Sequence, residues 1–86
     1  MTEEEGVNWM LRQLANFNGV LYQEYVATHL LHYGDRSLAY YDEDSNVCIS
    51  KPILAAFLKL TPNLVYERTD KFWRYRLPTD RPGRQQ

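Results

Sequence analysis

The stretch between residues 63 and 77 constrains the fold most strongly, because its pattern predicts a β-hairpin with one apolar face. If the chain reverses at Thr69 and Asp70, Tyr66 lies opposite Trp73 and side chains alternate between two faces. One face collects Leu64, Tyr66, Trp73, Tyr75 and Leu77, and the other collects Val65, Glu67, Phe72, Arg74 and Arg76. We expect the first face in the core and the second in water. A two-stranded hairpin is only marginally stable alone, so helices should cover the aromatic face.

A first helix is predicted from about Glu3, because Thr2 and Glu5 match the capping-box pattern. Its apolar stripe consists of Val7, Met10, Leu11, Leu14 and Phe17, with Trp9 beside it. Asn18 and Gly19 tolerate a left-handed backbone, so the helix is expected to end there.

A second helix is predicted from about Tyr22 to Tyr33, after a short extended stretch at Val20 and Leu21. Gly34 is its expected stop. The face predicted to share one side of this helix consists of Tyr22, Tyr25, Val26, Leu30 and Tyr33.

Residues 38–50 predict a second hairpin, in which a polar turn at 42–46 joins two short apolar strands. Ser50 is then a favourable N-cap for a third helix, with Pro52 in its first turn. The break at residues 61–63 leads from this helix into the last hairpin.

Two patterns in the sequence partly match metal sites, and neither is complete. The polar turn carries oxygen ligands at the spacing that opens an EF-hand calcium loop, in Asp42, Asp44 and Asn46. Val47 and Ile53 stand where that loop requires glycine and a bidentate glutamate. His29 and His32 share one side of a helix, but no further ligand is spaced to complete a zinc site. We therefore predict no metal and no cofactor.

Catalysis requires a nucleophile, a base and an orienting group that meet in space. The candidates are Cys48, His29, His32 and scattered acids, and Cys48 lies in a predicted strand where cysteine behaves as a small apolar residue. The sequence has no glycine-rich phosphate loop and no nucleophile elbow. The prediction is that the protein is not an enzyme.

The order helix-helix-hairpin-helix-hairpin predicts an α+β domain, with helices packed on a small antiparallel sheet. One domain is expected at residues 1–77, followed by a flexible basic tail at 78–86. Residues 1–50 hold two basic and eight acidic side chains, whereas residues 51–86 hold eight basic and three acidic ones. A single cysteine and the absence of any apolar run of about 18 residues favour a cytoplasmic protein with no membrane segment.

A helix followed by a basic two-stranded wing resembles winged-helix domains at the level of element order, over about residues 3–77. In that family the last helix enters a DNA groove and the wing touches backbone, so the resemblance implies nucleic-acid binding. Here a hairpin separates the second and third helices, and the third helix offers only Lys51 and Lys59 to phosphates.

A more local resemblance lies in residues 65–68 (VYER), 73–76 (WRYR) and 80–85 (DRPGRQ). This run is similar to the ends of a family of small uncharacterised bacterial proteins, some carried on mobile elements. The resemblance implies a bacterial cytoplasmic protein of unknown activity, and it assigns no functional residues.

The remaining indication is an excess of aromatic residues, with seven tyrosines in 86 residues. Not all of Trp9, Tyr33, Tyr40, Tyr41 and Phe72 can be interior, and exposed Tyr and Trp are typical of interfaces. The predicted binding surface consists of Tyr40, Tyr41, Lys71, Phe72, Arg74, Arg76, Arg81 and Arg84.

From these residues we predict first a small interaction module that forms a homodimer through exposed aromatics or a free strand edge. A winged-helix-like protein that binds nucleic acid weakly with the basic hairpin is the alternative.

Overall fold

The computed structural model, which describes residues 1–34 and 36–86, has three helices and five strands in those ranges. In chain order they are α1 (Glu3–Asn16), β1 (Leu21–Tyr22), α2 (Gln23–Tyr33), β2 (Ala39–Tyr41), β3 (Val47–Ile49), α3 (Lys51–Leu60), β4 (Leu64–Glu67) and β5 (Phe72–Tyr75). The predicted α+β class and the predicted order of helices and hairpins are confirmed.

The last hairpin has the predicted register, with Leu64 opposite Tyr75 and Tyr66 opposite Trp73. A four-residue loop joins β4 to β5, and the Lys71 N–H donates to the carbonyl of Glu67 at 2.8 Å. Period-two alternation and the turn length together determine this register, which is why it could be predicted from the sequence.

The strands form two small sheets rather than one. The first has the order β1-β5-β4, and the second is the β2-β3 hairpin. Val20 and Leu21 were expected to be extended, and in the structure Leu21 pairs with Trp73 and Tyr22 pairs with Phe72. The first sheet thereby gains an edge strand from the linker between α1 and α2.

Both ends of α1 are closed by local hydrogen bonds. The Thr2 hydroxyl accepts from the Glu5 N–H at 3.1 Å and the Glu5 carboxylate accepts from the Thr2 N–H at 2.9 Å, which is the predicted capping box. At the other end Asn18 adopts φ 58°. The Gly19 N–H then reaches back to the carbonyl of Leu14 at 2.8 Å, as in a Schellman motif.

The core lies between the helices and the inner face of the three-stranded sheet. Its fully buried members include Met10, Leu21, Val26, Leu30, Ile53, Phe57 and Leu64. Trp73 is 4% exposed, and its ring meets that of Phe57 edge to face with centroids 5.9 Å apart. The prediction that helices cover the aromatic face is therefore confirmed at Trp73, which contacts α3.

The predicted division of the last hairpin into a core face and a wet face is wrong at three residues. Val65, expected in water, has no exposed surface although it lies outside the main apolar cluster. Tyr75 and Leu77, expected in the core, are each 54% exposed. Tyr75 lies over Gly19, where an added Cβ would come within 2.6 Å of the ring, so it covers the turn after α1 instead.

The residues predicted to share one side of α2 divide between the core and the surface. Its aliphatic members Val26 and Leu30 are fully buried, together with Ala27, but the three tyrosines at positions 22, 25 and 33 are exposed. Tyr22 belongs to β1, where alternation places it on the face opposite Leu21. A helix of three turns needs only a narrow aliphatic stripe to contact this small core, and the tyrosines lie beside that stripe.

Candidate interaction surface

The structure distributes the eight predicted binding residues over several places. Tyr40 and Tyr41 lie on β2, Lys71 and Phe72 at the turn end of β5, Arg74 and Arg76 along and after β5, and Arg81 and Arg84 in the segment that follows. Tyr41 and Lys71 border one polar cleft of about 410 Å³ between the two hairpins. Their role as a contact surface stays a prediction.

The side chain of Arg74 is engaged by hydrogen bonds within the chain. Its Nε and Nη2 donate to the Glu67 carboxylate at 3.0 and 2.6 Å, and Nη1 and Nη2 each donate to Asp80 at 2.8 Å. The remaining Nη1 donor reaches the carbonyl of Tyr75 at 3.1 Å. These five contacts occupy all the N–H donors of a guanidinium, so Arg74 has none left for a phosphate. The pair with Glu67 is diagonal across the hairpin register, whereas Asp80 comes from the chain beyond β5.

Asp80 makes this cluster sensitive to acid. Hydrogen bonds from Arg74, and after them from the Leu77 N–H, hold the pKa of the Asp80 carboxyl well below its ordinary value. A carboxyl whose pKa is lower in the folded chain stabilises the fold above its unfolded pKa of about 4 and loses that contribution as the pH falls.

We expect the difference in free energy of unfolding between the wild type and Asp80→Asn to be constant above about pH 5 and to shrink toward pH 3. Urea unfolding at several pH values measures it. The amide keeps the shape of the side chain, removes its charge and replaces one acceptor oxygen by an NH2 donor. A difference that stays constant down to pH 3 would contradict the lowered pKa of Asp80.

Arg84 binds the C-terminal end of α3. Its Nη2 donates to the carbonyl of Leu58 at 2.7 Å, and its Nη1 to the carbonyls of Thr61 and Leu64 at 2.9 and 3.3 Å. The last carbonyls of a helix lack partners within the helix and carry partial negative charge, which a guanidinium satisfies. Arg76 likewise donates to the carbonyls of two later residues, Arg81 and Gly83.

The last residues of the sequence, 82–86, which we call the tail segment, lie along the edge of β4. The Tyr66 N–H donates to the carbonyl of Arg84 at 2.6 Å, and the Gln86 N–H donates to the carbonyl of Tyr66 at 2.8 Å. The Arg68 N–H donates to the carbonyl of Gln86 at 3.2 Å, which completes a short parallel ladder. Residues 78–86 were predicted to form a flexible tail, and their mobility stays a prediction; these hydrogen bonds were not anticipated.

A patch of exposed rings runs from the end of α1 along the outer side of α2. We call it the aromatic surface; it consists of Phe17, Tyr22, Tyr25, His29, His32 and Tyr33. Phe17 meets Tyr25 edge to face at 5.5 Å, and His29 lies 4.5 Å from Tyr33 between ring centroids. Half-buried His29 stacks on Trp9 at 3.7 Å, which anchors the patch to the core.

Sequence reasoning missed this surface because it assigned tyrosines and aliphatic residues of α2 to one face. The signal was present in the spacing. The aliphatic residues at 26, 27 and 30 form one stripe, and the aromatic residues at 22, 25, 29 and 33 form a second stripe beside it. Two stripes of different chemistry on one short helix indicate one buried and one exposed apolar side.

The acidic turn between β2 and β3 uses its oxygens locally. One carboxylate oxygen of Asp42 accepts from the N–H groups of Asp44 and Asn46, both at 2.9 Å. These bonds, the one from Asn46 foremost, lower the pKa of Asp42. Burial and the neighbouring charge of Asp42 raise the pKa of the Cys48 thiol. Within residues 1–34 and 36–86, no three His, Cys, Asp or Glu side chains are grouped closely enough to hold a metal ion.

A model of a family of unknown function, DUF6953, matches residues 2–75, which include all the helices and strands described above. No curated protein and no solved structure matches the chain. None of the three described helices is long and apolar enough to cross a membrane. The predicted resemblance to an uncharacterised family agrees with the family match, and the resemblance to winged-helix domains stays a prediction.

Proposed function

We propose that this chain, which belongs to the DUF6953 family, is a non-enzymatic interaction module that forms a two-fold homodimer through its aromatic surface. The observation that carries the proposal is the exposure of Phe17, Tyr22, Tyr25 and Tyr33, which ranges from 45% to 60%. These rings lie just after α1, on β1 and on α2, and each contacts another aromatic ring, so they are held in place before any partner binds. Such preorganisation reduces the side-chain entropy lost on association.

The size and charge of the aromatic surface suit a second copy of the same chain. Four half-exposed rings of about 150–250 Å² each offer about 400 Å² of aromatic area, enough for the centre of an interface of about 800 Å² per partner. Glu24 is the one formally charged side chain among the described residues that line the two shallow depressions of this surface. Burial, and then the charge of His32, lower the pKa of His29, which favours its neutral form at pH 7. A two-fold contact therefore brings few like charges together.

Nucleic-acid binding by the basic hairpin is the second candidate. It is favoured by the exposed side chains of Arg68, Lys71 and Arg81 near the hairpin and the tail segment. It ranks below dimerisation because Arg74, Arg76 and Arg84 donate to groups within the chain. Each phosphate contact that is lost removes part of the salt-dependent affinity on which such binding relies.

The absence of catalysis is part of the proposal, and the state of Cys48 supports it. A raised thiol pKa leaves less thiolate at neutral pH, and the thiolate is the reactive form. We also propose a bacterial cytoplasmic protein, for which the resemblance of residues 80–85 and the single cysteine are the supporting observations.

Sedimentation equilibrium at protein concentrations of about 5–200 µM tests the dimer, because this range separates weak self-association from none. We expect the wild type to approach twice the chain mass and Tyr33→Lys to remain monomeric, with a dissociation constant raised at least about tenfold. The substitution removes an exposed ring and places an ammonium group in the apolar surface of each chain.

Tyr41→Lys is the matched control, because Tyr41 is equally exposed and lies on β2, outside the aromatic surface. This variant should dimerise as the wild type does. A wild-type monomer at 200 µM, or equal loss of dimer in both variants, would rule out the proposed contact. Mixed duplex DNA added at two salt concentrations to the same samples separates the two candidates, since salt-sensitive binding lost in Lys71→Ala/Arg81→Ala would favour the second.

A further inference from the structure

The tail segment occupies a groove that has the features of a peptide-binding site. One wall is the edge of β4, which exchanges three backbone hydrogen bonds with residues 84 and 86. The other runs from the C-terminal end of α3 to the start of β4, where the carbonyls of Leu58, Thr61 and Leu64 accept from the single guanidinium of Arg84. Addition of an extended strand to a free sheet edge, with a pocket for one side chain, is a recurrent mode of peptide recognition.

We propose that this groove binds an extended, arginine-containing segment of a partner protein, and that the chain's own tail segment occupies the groove as an intramolecular competitor. The groove is built from α3 and β4, within the matched residues 2–75, whereas the segment that fills it lies beyond them. The groove also lies at the edge of the sheet opposite β1, since the strand order is β1-β5-β4. The site is therefore separate from the aromatic surface, and its test does not depend on the homodimer.

The hydrogen bonds define what the incoming segment must contain. The carbonyl of its arginine accepts from the Tyr66 N–H, and the residue two positions later both donates to the Tyr66 carbonyl and accepts from Arg68. That later residue therefore cannot be proline, which has no N–H. Lysine in place of this arginine should bind more weakly. The planar guanidinium reaches three carbonyls with two of its nitrogens, whereas the ammonium of lysine is a single point charge.

A cavity beneath the tail segment adds a preference at the middle residue. It has a volume of about 200 Å³, and most of its lining is apolar, including Leu54, Leu58 and Leu64. Gln85, the residue after the arginine, borders this cavity. Gln85 is exposed and leaves this apolar cavity open, so a partner with leucine at this position should bind better than the chain's own segment does. The recognised segment is thus arginine, then an apolar residue, then any residue except proline.

The competition can be measured with a capped peptide of residues 79–86 that carries a fluorophore, titrated with the full chain and followed by anisotropy. The wild-type chain should bind the peptide weakly, because its own tail segment is present at a high effective concentration. The full-length Arg84→Ala chain, whose tail segment has lost its anchor, should bind the same peptide at least about tenfold more tightly. A full-length Gln86→Pro chain weakens the tail segment independently and leaves the Arg84 contact with α3 in place, so it serves if Arg84→Ala does not fold.

Matched peptides identify the contacts. We call the full-length Arg84→Ala and Gln86→Pro variants the opened chains, because their own tail segment is weakened. Peptides that carry Arg84→Ala or Gln86→Pro should bind an opened chain at least about tenfold more weakly than the wild-type peptide does, since each change removes part of the ladder or the helix contact. A Gln85→Pro peptide is the control, because the Gln85 N–H makes none of the three ladder bonds, and a Gln85→Leu peptide should bind several-fold more tightly. Absence of saturable binding to both opened chains, or equal binding of the wild-type and Arg84→Ala peptides, would overturn the proposal. Retained peptide binding by Tyr33→Lys/Arg84→Ala, compared with Arg84→Ala alone, would separate this site from the aromatic surface.

Discussion

Replacing Trp73 by alanine is expected to reduce the free energy of unfolding by about 3–5 kcal/mol. The indole is 4% exposed, lies across from Leu21 and Tyr66 on neighbouring strands, and contacts the ring of Phe57 on α3. Removing it opens a large cavity at the point where the sheet meets a helix. A domain of this size has a total stability on the order of 4–12 kcal/mol, so the variant should be partly unfolded at room temperature.

Urea unfolding followed by far-ultraviolet circular dichroism measures this loss without relying on the removed fluorophore. Tyr75→Ala is the matched control, because Tyr75 lies two residues along the same strand on the same face but is 54% exposed. It should cost about 1 kcal/mol or less. Near-wild-type stability of Trp73→Ala would show that the hairpin is not held by its aromatic face.

The contrast between Trp73 and Tyr75 shows which parts of this fold the sequence could predict. Alternation and turn length are local properties, and they sufficed for the register of β4 with β5. Capping residues are local as well, and they sufficed for both ends of α1. Burial depends on what lies above each residue, and the sequence does not encode that locally. Tyr75 shares the face of Trp73, yet the core ends before it, and its ring covers Gly19 instead.

The two interaction surfaces were missed for a related reason. The tyrosines of α2 were placed on one face with its aliphatic residues, whereas Val26, Ala27 and Leu30 alone form the buried side of this short helix. The tail segment has no apolar periodicity, so nothing in residues 78–86 indicated an ordered partner. Its contacts come from Arg84 and from backbone groups, which are long-range polar interactions without a sequence signature.

The chain that follows β5 also contacts the outer face of the hairpin. Val65, Glu67 and Arg74 share that face by alternation and register. Asp80 binds the Arg74 guanidinium, so the chain that follows β5 returns across the same face toward the edge of β4. Val65 has no exposed surface on this face, where Glu67 and Arg74 are half-buried, and it is separate from the main core.

Val65→Asn is accordingly expected to cost about 3 kcal/mol, as the sum of lost apolar burial and of a buried amide without prepared partners. If that face were open to water, as the alternation of polar residues predicts, the same change would cost less than about 0.5 kcal/mol. Urea unfolding distinguishes the two values, and Arg68→Asn, at an exposed position next to β4, is the control. Hydrogen exchange adds a local readout, because the Tyr66 N–H is protected by the carbonyl of Arg84. Loss of that protection in Val65→Asn would show that the valine and the tail segment stabilise each other, and an unchanged rate together with unchanged stability would show that they do not.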